Sequence, residues 1–368
     1  MAEGFVAPGF ERVRDVFAAA MADEIGASFA ALRDSEIVVN LWGGWANRDH
    51  TRPWANDTLA PLYSTTKGIS AIVLAWLMDH GLIDYEAPLA SLWPAFGAHG
   101  KGRVTIAQTL AHQAGVPGFI ERIDPDLWLD PPACAQAIAA LAPMWPPGSA
   151  SGYHPHTWGY IVGEIALRAA ERSLGTILRE DICAPLGIEC MIGTPPSEHA
   201  RCADMKKPPR AGEFGEITPP RKAAFFMPWS APTRGSAQWR TIEIPSANGH
   251  ATALAVAQLY GLYATGGEIG GQRILSQSAF DSLITPRWSG DDLVLPFNID
   301  WRTGVIGNSN DFYGPNPEAL GHSGMGGSCG FGDPRARVSV GYVMNKQSHH
   351  IMGDPRSLAL IDALYSCL

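Results

Sequence analysis

The first hydrophobic pattern along the chain has the spacing of a helix, since apolar residues recur every three or four positions over residues 10–21. The next two apolar segments, residues 27–32 and 36–42, are short and flank a polar turn at residues 33–35. Short apolar runs on both sides of a polar turn are typical of paired strands. The N-terminal part of the chain is therefore predicted to form one amphipathic helix and two neighbouring strands.

Helical patterns dominate the middle of the chain. A nearly continuous apolar helix is predicted to begin at Ser64 and to end at residue 78 or 79. Between residues 82 and 191, helical spacing alternates with Pro- and Gly-rich breaks, and four helices are predicted, over residues 105–113, 131–142, 157–171 and 174–183. The segment 192–245 is rich in proline and aromatic residues and is predicted to be irregular, as functional loops often are.

Strand patterns return in the last third of the chain. After a predicted helix over residues 252–265, strands are predicted over residues 299–306, 318–323, 328–332 and 337–345, followed by a closing helix over residues 355–367. Strands at both chain ends with helices between them favour an α+β fold. Residues 1–80 and 246–368 are predicted to form one α/β domain, and residues 81–245 a mostly helical second domain. The cleft between the two domains is the expected site.

Composition narrows the class of protein. The 368 residues are 46% hydrophobic and only 17% charged, which is typical of a well-packed globular protein. The net charge is −9, and no basic stripe is present that would bind nucleic acid or an anionic membrane. The six cysteines show no Cys-x-x-Cys spacing, so buried reduced thiols are expected. The first eight residues lack signal-peptide features and no apolar run could span a membrane, so we expect a soluble cytoplasmic protein.

Ser64-Thr65-Thr66-Lys67 opens the apolar helix and places a hydroxyl and an amine one helical turn apart on the same face. A free serine is a weak nucleophile, and a lysine shielded from water can act as its base. The apolar flanks predict that Lys67 is buried, with a lowered pKa or a matching partner. This segment predicts nucleophilic catalysis by Ser64.

Two further segments offer parts that such a site needs. Tyr153 follows the turn sequence Trp145-Pro146-Pro147-Gly148, and its phenol is a candidate proton shuttle because Lys67 beside it would favour the phenolate. The glycine-rich segment 321–327 precedes a predicted strand and could present backbone N–H groups as an oxyanion hole. A half-buried tyrosine and an ordinary glycine-rich hairpin are the alternative interpretations.

Taken in order, these three segments resemble the motifs of the serine β-lactamase and penicillin-binding-protein superfamily, in particular its class C-like branch, which includes the family VIII carboxylesterases. The resemblance covers nearly the whole chain. It extends to residues 110–115, which are similar to that branch's Leu-x-His-x-Ser-Gly segment, and to the segment Ser246-Ala247-Asn248-Gly249-His250 before a predicted helix. It implies a class C β-lactamase-like fold, in which an antiparallel sheet from both chain ends packs against helices beside a helical lobe. It also implies an acyl-serine intermediate that needs no metal or cofactor.

The resemblance implies a role for each matching residue. Ser64 would be the acylated nucleophile, Lys67 its general base or base partner, and Tyr153 the proton shuttle in acylation and deacylation. The backbone N–H groups of Ser64 and Met325 would form the oxyanion hole. The residues expected to bind substrate or shape the cleft are His322, Ser323, Gly324, His154, His156 and Gln113.

Two departures from the β-lactamase pattern change the expected substrate. His322-Ser323-Gly324 stands where that pattern has Lys-Thr-Gly, and Tyr153-His154-Pro155 stands where it has Tyr-x-Asn. Both changes remove groups that recognise anionic, amide-bearing substrates, and the esterase-like members are more similar to this chain at both positions. A small carboxylic ester of short to medium chain length is therefore the expected substrate. Amide, D,D-peptide or weak β-lactam hydrolysis and acyl transfer remain open, because the same residues could carry them out.

Other chemistries are less favoured by the sequence. Ser328 lies in a Gly-x-Ser-x-Gly segment, but a nucleophile elbow needs a helix after the serine, whereas a strand is predicted there. The pairs His154-x-His156 and His349-His350 lack a third ligand at metal-binding spacing. A non-catalytic relative would be free to lose one of Ser64, Lys67 and Tyr153, so a pure binding role is the least favoured alternative. The sequence leaves the oligomeric state open.

Overall fold

Strands from both ends of the chain pair in one antiparallel sheet. The computed structural model describes residues 2–208, 210, 212–232 and 235–368. Its strands are β1 (Ala2–Val6), β2 (Gly26–Arg33), β3 (Glu36–Gly44), β4 (Ala60–Pro61), β5 (Cys190–Ile192), β6 (Gly249–Ala251), β7 (Glu268–Ile269), β8 (Gln272–Arg273), β9 (Trp288–Asp291), β10 (Asn298–Trp301), β11 (Ile306–Gly307), β12 (Leu320–Ser323), β13 (Cys329–Asp333) and β14 (Val338–Met344). Within these residues the main sheet has the order β1-β3-β2-β14-β13-β12-β11-β10-β9. Pairing of β14 with β2 joins the two chain ends, which confirms the predicted α+β fold.

Helices cover both faces of this sheet. They are α1 (Glu11–Ala20), α2 (Thr66–Asp79), α3 (Leu89–Leu92), α4 (Ile106–Leu110), α5 (Pro131–Ala139), α6 (Thr157–Ala170), α7 (Leu174–Ile177), α8 (Ala184–Leu186), α9 (Pro219–Arg221), α10 (Ala237–Thr241), α11 (Ala253–Thr265), α12 (Gln277–Ile284) and α13 (Pro355–Tyr365). Helix α11 packs on β2, β13 and β14, whereas α1 and α13 pack together. In the described part of the chain, no helix has the length and apolar character that a membrane span requires.

Alternating side chains of the central strands face two separate cores. Ala30 and Leu32 of β2 belong to the larger core, whereas Phe29 and Ala31 belong to the smaller one. This alternation follows from the two-residue period of a strand, which requires apolar residues on both faces when helices cover both. The larger core also includes helices of the segment 81–245, so it crosses the boundaries of the two predicted domains. The division into two domains stays a prediction.

Several element boundaries differ from the prediction. A single strand over residues 299–306 is wrong, because β10 and β11 are two antiparallel strands that pair Trp301 with Ile306. Gly304 has a φ of +89° in the turn between them, and Arg302 N–H donates to Val305 O over 2.9 Å to close that turn. Strand β1 was not predicted because it is an exposed edge strand that lacks a continuous apolar face.

The described residues of the segment 192–245 form short elements only. Besides α9 and α10, it holds a 3₁₀ turn, Pro196–Arg201, and a π-helical turn, Lys222–Phe226. Four residues of the predicted irregular stretch, 209, 211, 233 and 234, lie outside the described residues. The described part of this segment places Phe214, Phe225 and Phe226 against the cavity that contains Ser64.

Candidate active site

Ser64 lies in a 3₁₀ turn, Tyr63–Thr65, immediately before α2, so the α-helix begins two residues later than predicted. Tyr63 has a φ of +48°, a left-handed conformation that is unusual for a bulky residue and persists only where its surroundings enforce it. The enforcing contacts are close by, since Tyr260 Oη donates to Thr65 O over 2.7 Å and Leu62 N–H donates to Gly249 O over 2.8 Å. The turn therefore holds the serine rigidly on the cavity wall.

Lys67 is completely buried on the first turn of α2. Its Nζ donates to Pro155 O over 2.9 Å and to Ser246 O over 3.0 Å, and it lies 3.3 Å from Ser64 Oγ. Within the described residues no ion pair joins Lys67 to a carboxylate. Burial holds the pKa of Lys67 well below its ordinary value, which favours a neutral amine. Two N–H bonds then satisfy the carbonyls, and the nitrogen lone pair is available for the Ser64 proton.

Tyr153 completes the triad of polar groups. Its Oη donates to Ser64 Oγ over 2.6 Å, and Lys67 Nζ lies 4.7 Å from the centre of its ring. Burial raises the pKa of Tyr153 above its ordinary value, and the negative charge of Asp292 adds to this effect, although the hydrogen bond to Ser64 opposes it. Burial thus opposes formation of the phenolate, which a charged Lys67 would favour. A neutral amine supplies no compensating charge, so the phenol stays protonated.

The glycine-rich segment connects β12 to β13 and packs directly on the Ser64 turn. A side chain at Gly324 would place its Cβ 2.3 Å from Leu62 O and 2.1 Å from Ser328 Oγ, so only glycine fits. Two long side chains hold the next two backbone carbonyls. Gln347 Nε2 donates to Met325 O over 3.2 Å, and Arg356 Nη2 donates to Gly326 O over 2.9 Å. Met325 and Ser64 line the same cavity, as an oxyanion hole built from their N–H groups requires.

The cavity at Ser64 has a volume of about 260 Å³ and is largely apolar. Its described lining includes no Lys, Arg, Asp or Glu. The apolar wall is contributed mainly by Phe214, Phe225, Phe226, Leu295, Ile351 and Met352. His322 also lines it, with Nδ1 donating to Ser323 O over 2.8 Å, and burial lowers the pKa of His322 to about 3. His322 is therefore uncharged at neutral pH.

The structure brings some of the other predicted residues to the cavity and not others. His156, His322 and Ser323 line it, whereas His154, Gln113 and Gly324 do not. His154 is buried, with Nε2 accepting from Val116 N–H over 2.9 Å and Nδ1 donating to Gly152 O over 2.6 Å. Gln113 Nε2 donates to Arg287 O over 3.0 Å. The side chains of His154 and Gln113 thus support backbone near the site and do not reach its wall.

Ser328 has none of the geometry of a nucleophile elbow. It is completely buried, and its Oγ donates to Leu62 O over 2.7 Å and lies 3.1 Å from Thr65 Oγ1. The next residue begins strand β13, so no helix follows the serine. Ser328 fastens the glycine-rich segment to the Ser64 turn from below the cavity.

Sequence reasoning missed the aromatic wall and the residues that support Tyr153. Phe214 and Phe225 lie in an aperiodic segment, so no hydrophobic period marks them as cavity residues. Asp292 accepts a hydrogen bond from Tyr153 N–H over 2.9 Å, although the two residues are 139 positions apart in the sequence. Only the run of turn-forming residues Ser289-Gly290-Asp291-Asp292 hinted that a carboxylate could cap a loop there.

The site consists of a serine in a tight turn with a buried lysine and a tyrosine around one cavity, and it lies beside an antiparallel sheet flanked by helices. These features define a serine hydrolase with the β-lactamase and penicillin-binding-protein fold. The Beta-lactamase family model matches residues 13–363, and the chain belongs to this family.

Relatives with esterase names support the same class. Esterase/beta-lactamase LipL of Mycobacterium tuberculosis is 34% identical over 339 residues, which cover 87% of this chain and 77% of LipL. Among solved structures, a penicillin-binding protein homologue from Caulobacter crescentus is 49% identical with a TM-score of 0.97, and a family VIII carboxylesterase is 42% identical with a TM-score of 0.93. Both alignments cover 100% of each chain.

The charge state of Lys67 has a measurable consequence for stability. Its pKa in the folded protein is below the ordinary 10.5, so between the two values the unfolded chain binds a proton that the folded chain does not. The free energy of unfolding of the wild type should therefore rise with pH in that window, by up to about 1.4 kcal/mol per pH unit. Met does not titrate, so denaturant unfolding of the wild type and Lys67→Met from pH 6 to pH 10 isolates this contribution.

The difference between the two proteins is the quantity to follow, because titrating groups that do not interact with Lys67 cancel from it. We expect the wild type to gain stability relative to Lys67→Met as the pH rises. A difference in the free energy of unfolding that stays constant over this pH range would mean that Lys67 is an ordinary charged lysine. It would contradict the assignment of a neutral Lys67 amine as the base.

Proposed function

We propose that the protein hydrolyses neutral carboxylic esters of short to medium chain length through an acyl-serine intermediate on Ser64. The observation that carries this proposal is the convergence of Tyr153 Oη and Lys67 Nζ, at 2.6 and 3.3 Å, on one serine oxygen in the wall of a cavity whose described lining includes no Lys, Arg, Asp or Glu. A nucleophile with a base and an acid in hydrogen-bond reach is the arrangement that acyl transfer needs.

Acylation begins when the Ser64 hydroxyl proton moves to the neutral amine of Lys67 and Oγ attacks the ester carbonyl carbon. The carbonyl oxygen becomes negative, and the backbone N–H groups of Ser64 and Met325 stabilise it. The tetrahedral intermediate then expels the alkoxide, which takes the phenolic proton of Tyr153. Lys67 is now an ammonium ion and Tyr153 a phenolate, and their proximity stabilises both charges.

Deacylation uses the two charges that acylation created. The Tyr153 phenolate takes a proton from water, and the resulting hydroxide attacks the acyl carbon. The bond to Ser64 Oγ breaks, and the oxygen recovers its proton from the Lys67 ammonium. Both side chains return to their neutral resting states, so the cycle is balanced without any further acid or base.

The cavity supports an ester as the substrate class. Holding the carboxylate of a β-lactam requires a fixed positive charge, and His322 is neutral at the position where the β-lactamase pattern has lysine. A volume of about 260 Å³ is at the small end of ligand pockets, which favours short to medium chains. The apolar wall then contributes binding in proportion to the hydrocarbon that it covers.

A substrate panel tests this proposal. The wild type is assayed with p-nitrophenyl esters of acetate, butyrate and laurate, with butyryl anilide and with a chromogenic cephalosporin. We expect kcat/KM to be highest for acetate or butyrate and at least about 100-fold lower for the cephalosporin, since the lost charge-assisted contacts are worth about 3 kcal/mol.

Other results would assign a different activity. A cephalosporin turned over as fast as butyrate would contradict the ester proposal and favour a β-lactamase. Preferred cleavage of the anilide would favour an amide hydrolase. A wild type that releases p-nitrophenol only after an alcohol acceptor is added would favour acyl transfer over hydrolysis.

A further inference from the structure

Asp292 is a buried carboxylate between β9 and β10 with an unusual set of partners. Its Oδ1 accepts hydrogen bonds from the backbone N–H groups of Tyr153, Val294 and Leu295, over 2.9, 2.8 and 2.8 Å. Its Oδ2 accepts a hydrogen bond from Trp301 Nε1 over 3.0 Å. All four partners are donors, which suits an ionised carboxylate because that group can only accept. In the described part of the chain, no ion pair includes Asp292.

The same carboxylate fixes both the backbone and the ring of Tyr153. Trp301, which Oδ2 holds, stacks on the Tyr153 ring with 5.7 Å between ring centres and 8° between ring planes. His112 packs edge-on against both rings. Leu293 N–H also donates to Ser151 O over 3.0 Å, so the loop after β9 is attached to the Tyr153 segment at two adjacent points. The loop after β9 and the Trp301 ring thus fix the orientation of the Tyr153 phenol.

We propose that Asp292 is a positioning residue of the hydrolase, which holds the Tyr153 hydroxyl within hydrogen-bond distance of Ser64 Oγ by fixing the backbone and the stacked ring together. The inference rests on the proposed function, because the position of the phenol matters only if Tyr153 transfers protons. Proton transfer requires heavy-atom distances of about 2.6–3.2 Å, so a small displacement of this ring removes the contact.

The negative charge of Asp292 adds an electrostatic effect. The titratable groups around Tyr153 are Lys67, His112, His154, Tyr313, His322 and Asp292. Burial lowers the pKa of Lys67 and of the three histidines, and it raises the pKa of Asp292, although the four hydrogen-bond donors around Asp292 oppose that rise. The negative charge of the ionised Asp292 carboxylate raises the pKa of Tyr153. Arg221 of α9 donates hydrogen bonds to Val294 O and Leu295 O, which lie on the loop after β9. Loss of the carboxylate charge should therefore let the phenol ionise at lower pH.

The variant Asp292→Asn tests this proposal. An amide can keep the three hydrogen bonds at Oδ1, but it replaces Oδ2 by a donor that opposes Trp301 Nε1. We expect kcat per titrated active site to fall by about 10- to 100-fold while KM changes by less than about threefold, since misplacement of a reacting group of this kind affects the chemical step. With ethyl butyrate, the basic limb of kcat/KM should move to lower pH.

The matched control is Asp333→Asn. Asp333 is also buried, and it accepts hydrogen bonds from Arg335 N–H, Ala336 N–H, Asn316 Nδ2 and Tyr365 Oη, but it has no contact with Tyr153. The same loss of a buried charge should lower stability there and leave kcat and its pH profile as in the wild type. A fall in kcat confined to Asp292→Asn therefore identifies positioning and not general destabilisation.

Trp301→Phe separates the two effects and covers the case in which Asp292→Asn does not fold. Phenylalanine keeps a stacked ring and leaves the carboxylate with its three backbone donors, but it loses the indole N–H. We expect a lower kcat with an unshifted basic limb. Wild-type kcat in Asp292→Asn, or in Trp301→Phe if only that variant folds, would overturn the inference. A wild type that cleaves no ester, or a Ser64→Ala protein that still does, would instead overturn the proposed function.

Discussion

Ser64→Ala should lose ester hydrolysis almost completely, with kcat reduced on the order of 10⁴-fold or more. The hydroxyl is the only atom group removed, and both Lys67 Nζ and Tyr153 Oη converge on it. The 3₁₀ turn is held by Tyr260 and Gly249, which the substitution does not touch, so the fold and the cavity should remain. Steady-state assays with p-nitrophenyl butyrate, together with a denaturation curve, measure both expectations.

Ser328→Ala is the matched control for this prediction. It removes a second hydroxyl that lies 3.1 Å from Thr65 Oγ1 on the same turn, but outside the cavity lining. We expect a loss of stability of about 1 kcal/mol, from the hydrogen bond to Leu62 O, and kcat within a few fold of the wild type. Loss of turnover in Ser328→Ala with full activity in Ser64→Ala would make Ser328 the nucleophile.

Tyr153→Phe should separate the two halves of the reaction. The ring and its stack on Trp301 remain, but the proton donor at 2.6 Å from Ser64 Oγ is lost. A p-nitrophenolate leaves without a proton, so the initial burst with p-nitrophenyl butyrate should persist, whereas the steady-state rate should fall by about 10²- to 10⁴-fold because no base activates water. With ethyl butyrate, whose alkoxide needs a proton, acylation should fail as well.

Rapid-mixing measurements of the burst test this prediction. The amplitude should approach one equivalent per enzyme in Tyr153→Phe, since deacylation limits turnover. Steady-state rates equal to those of the wild type would exclude Tyr153 as the acid and base. Equal loss of burst and steady state for the activated ester would mean that Tyr153 acts in the attack of Ser64 and not in the later proton transfers.

The sequence contained the local part of the site. Ser64 and Lys67 are separated by one helical turn. The burial of Lys67 could be predicted because the residues around it on the helix are apolar, which leaves the helix without a polar, exposed face. Tyr153 and the glycine-rich segment were readable only as members of an ordered set of motifs. The structure brings Tyr153 to Ser64 through contacts between residues 89 positions apart, which no local pattern specifies.

The parts that could not be predicted depend on distant packing. The cavity wall of Phe214, Phe225 and Met352 joins two segments without hydrophobic periodicity. The single strand expected over residues 299–306 failed because its apolar residues continue through a tight turn at Gly304. The effect of Lys67 on Tyr153 also depends on distant packing, because burial determines whether that lysine is charged.

Identification of the residue that becomes acylated tests the central claim most directly. The wild type and Tyr153→Phe are mixed with p-nitrophenyl butyrate, quenched in acid within the burst, and examined by intact-mass and peptide mass spectrometry. We predict one butyryl group per chain, attached to Ser64, with higher occupancy in Tyr153→Phe. A butyryl group on Ser328 or another residue, or turnover without any covalent adduct in either protein, would contradict the account.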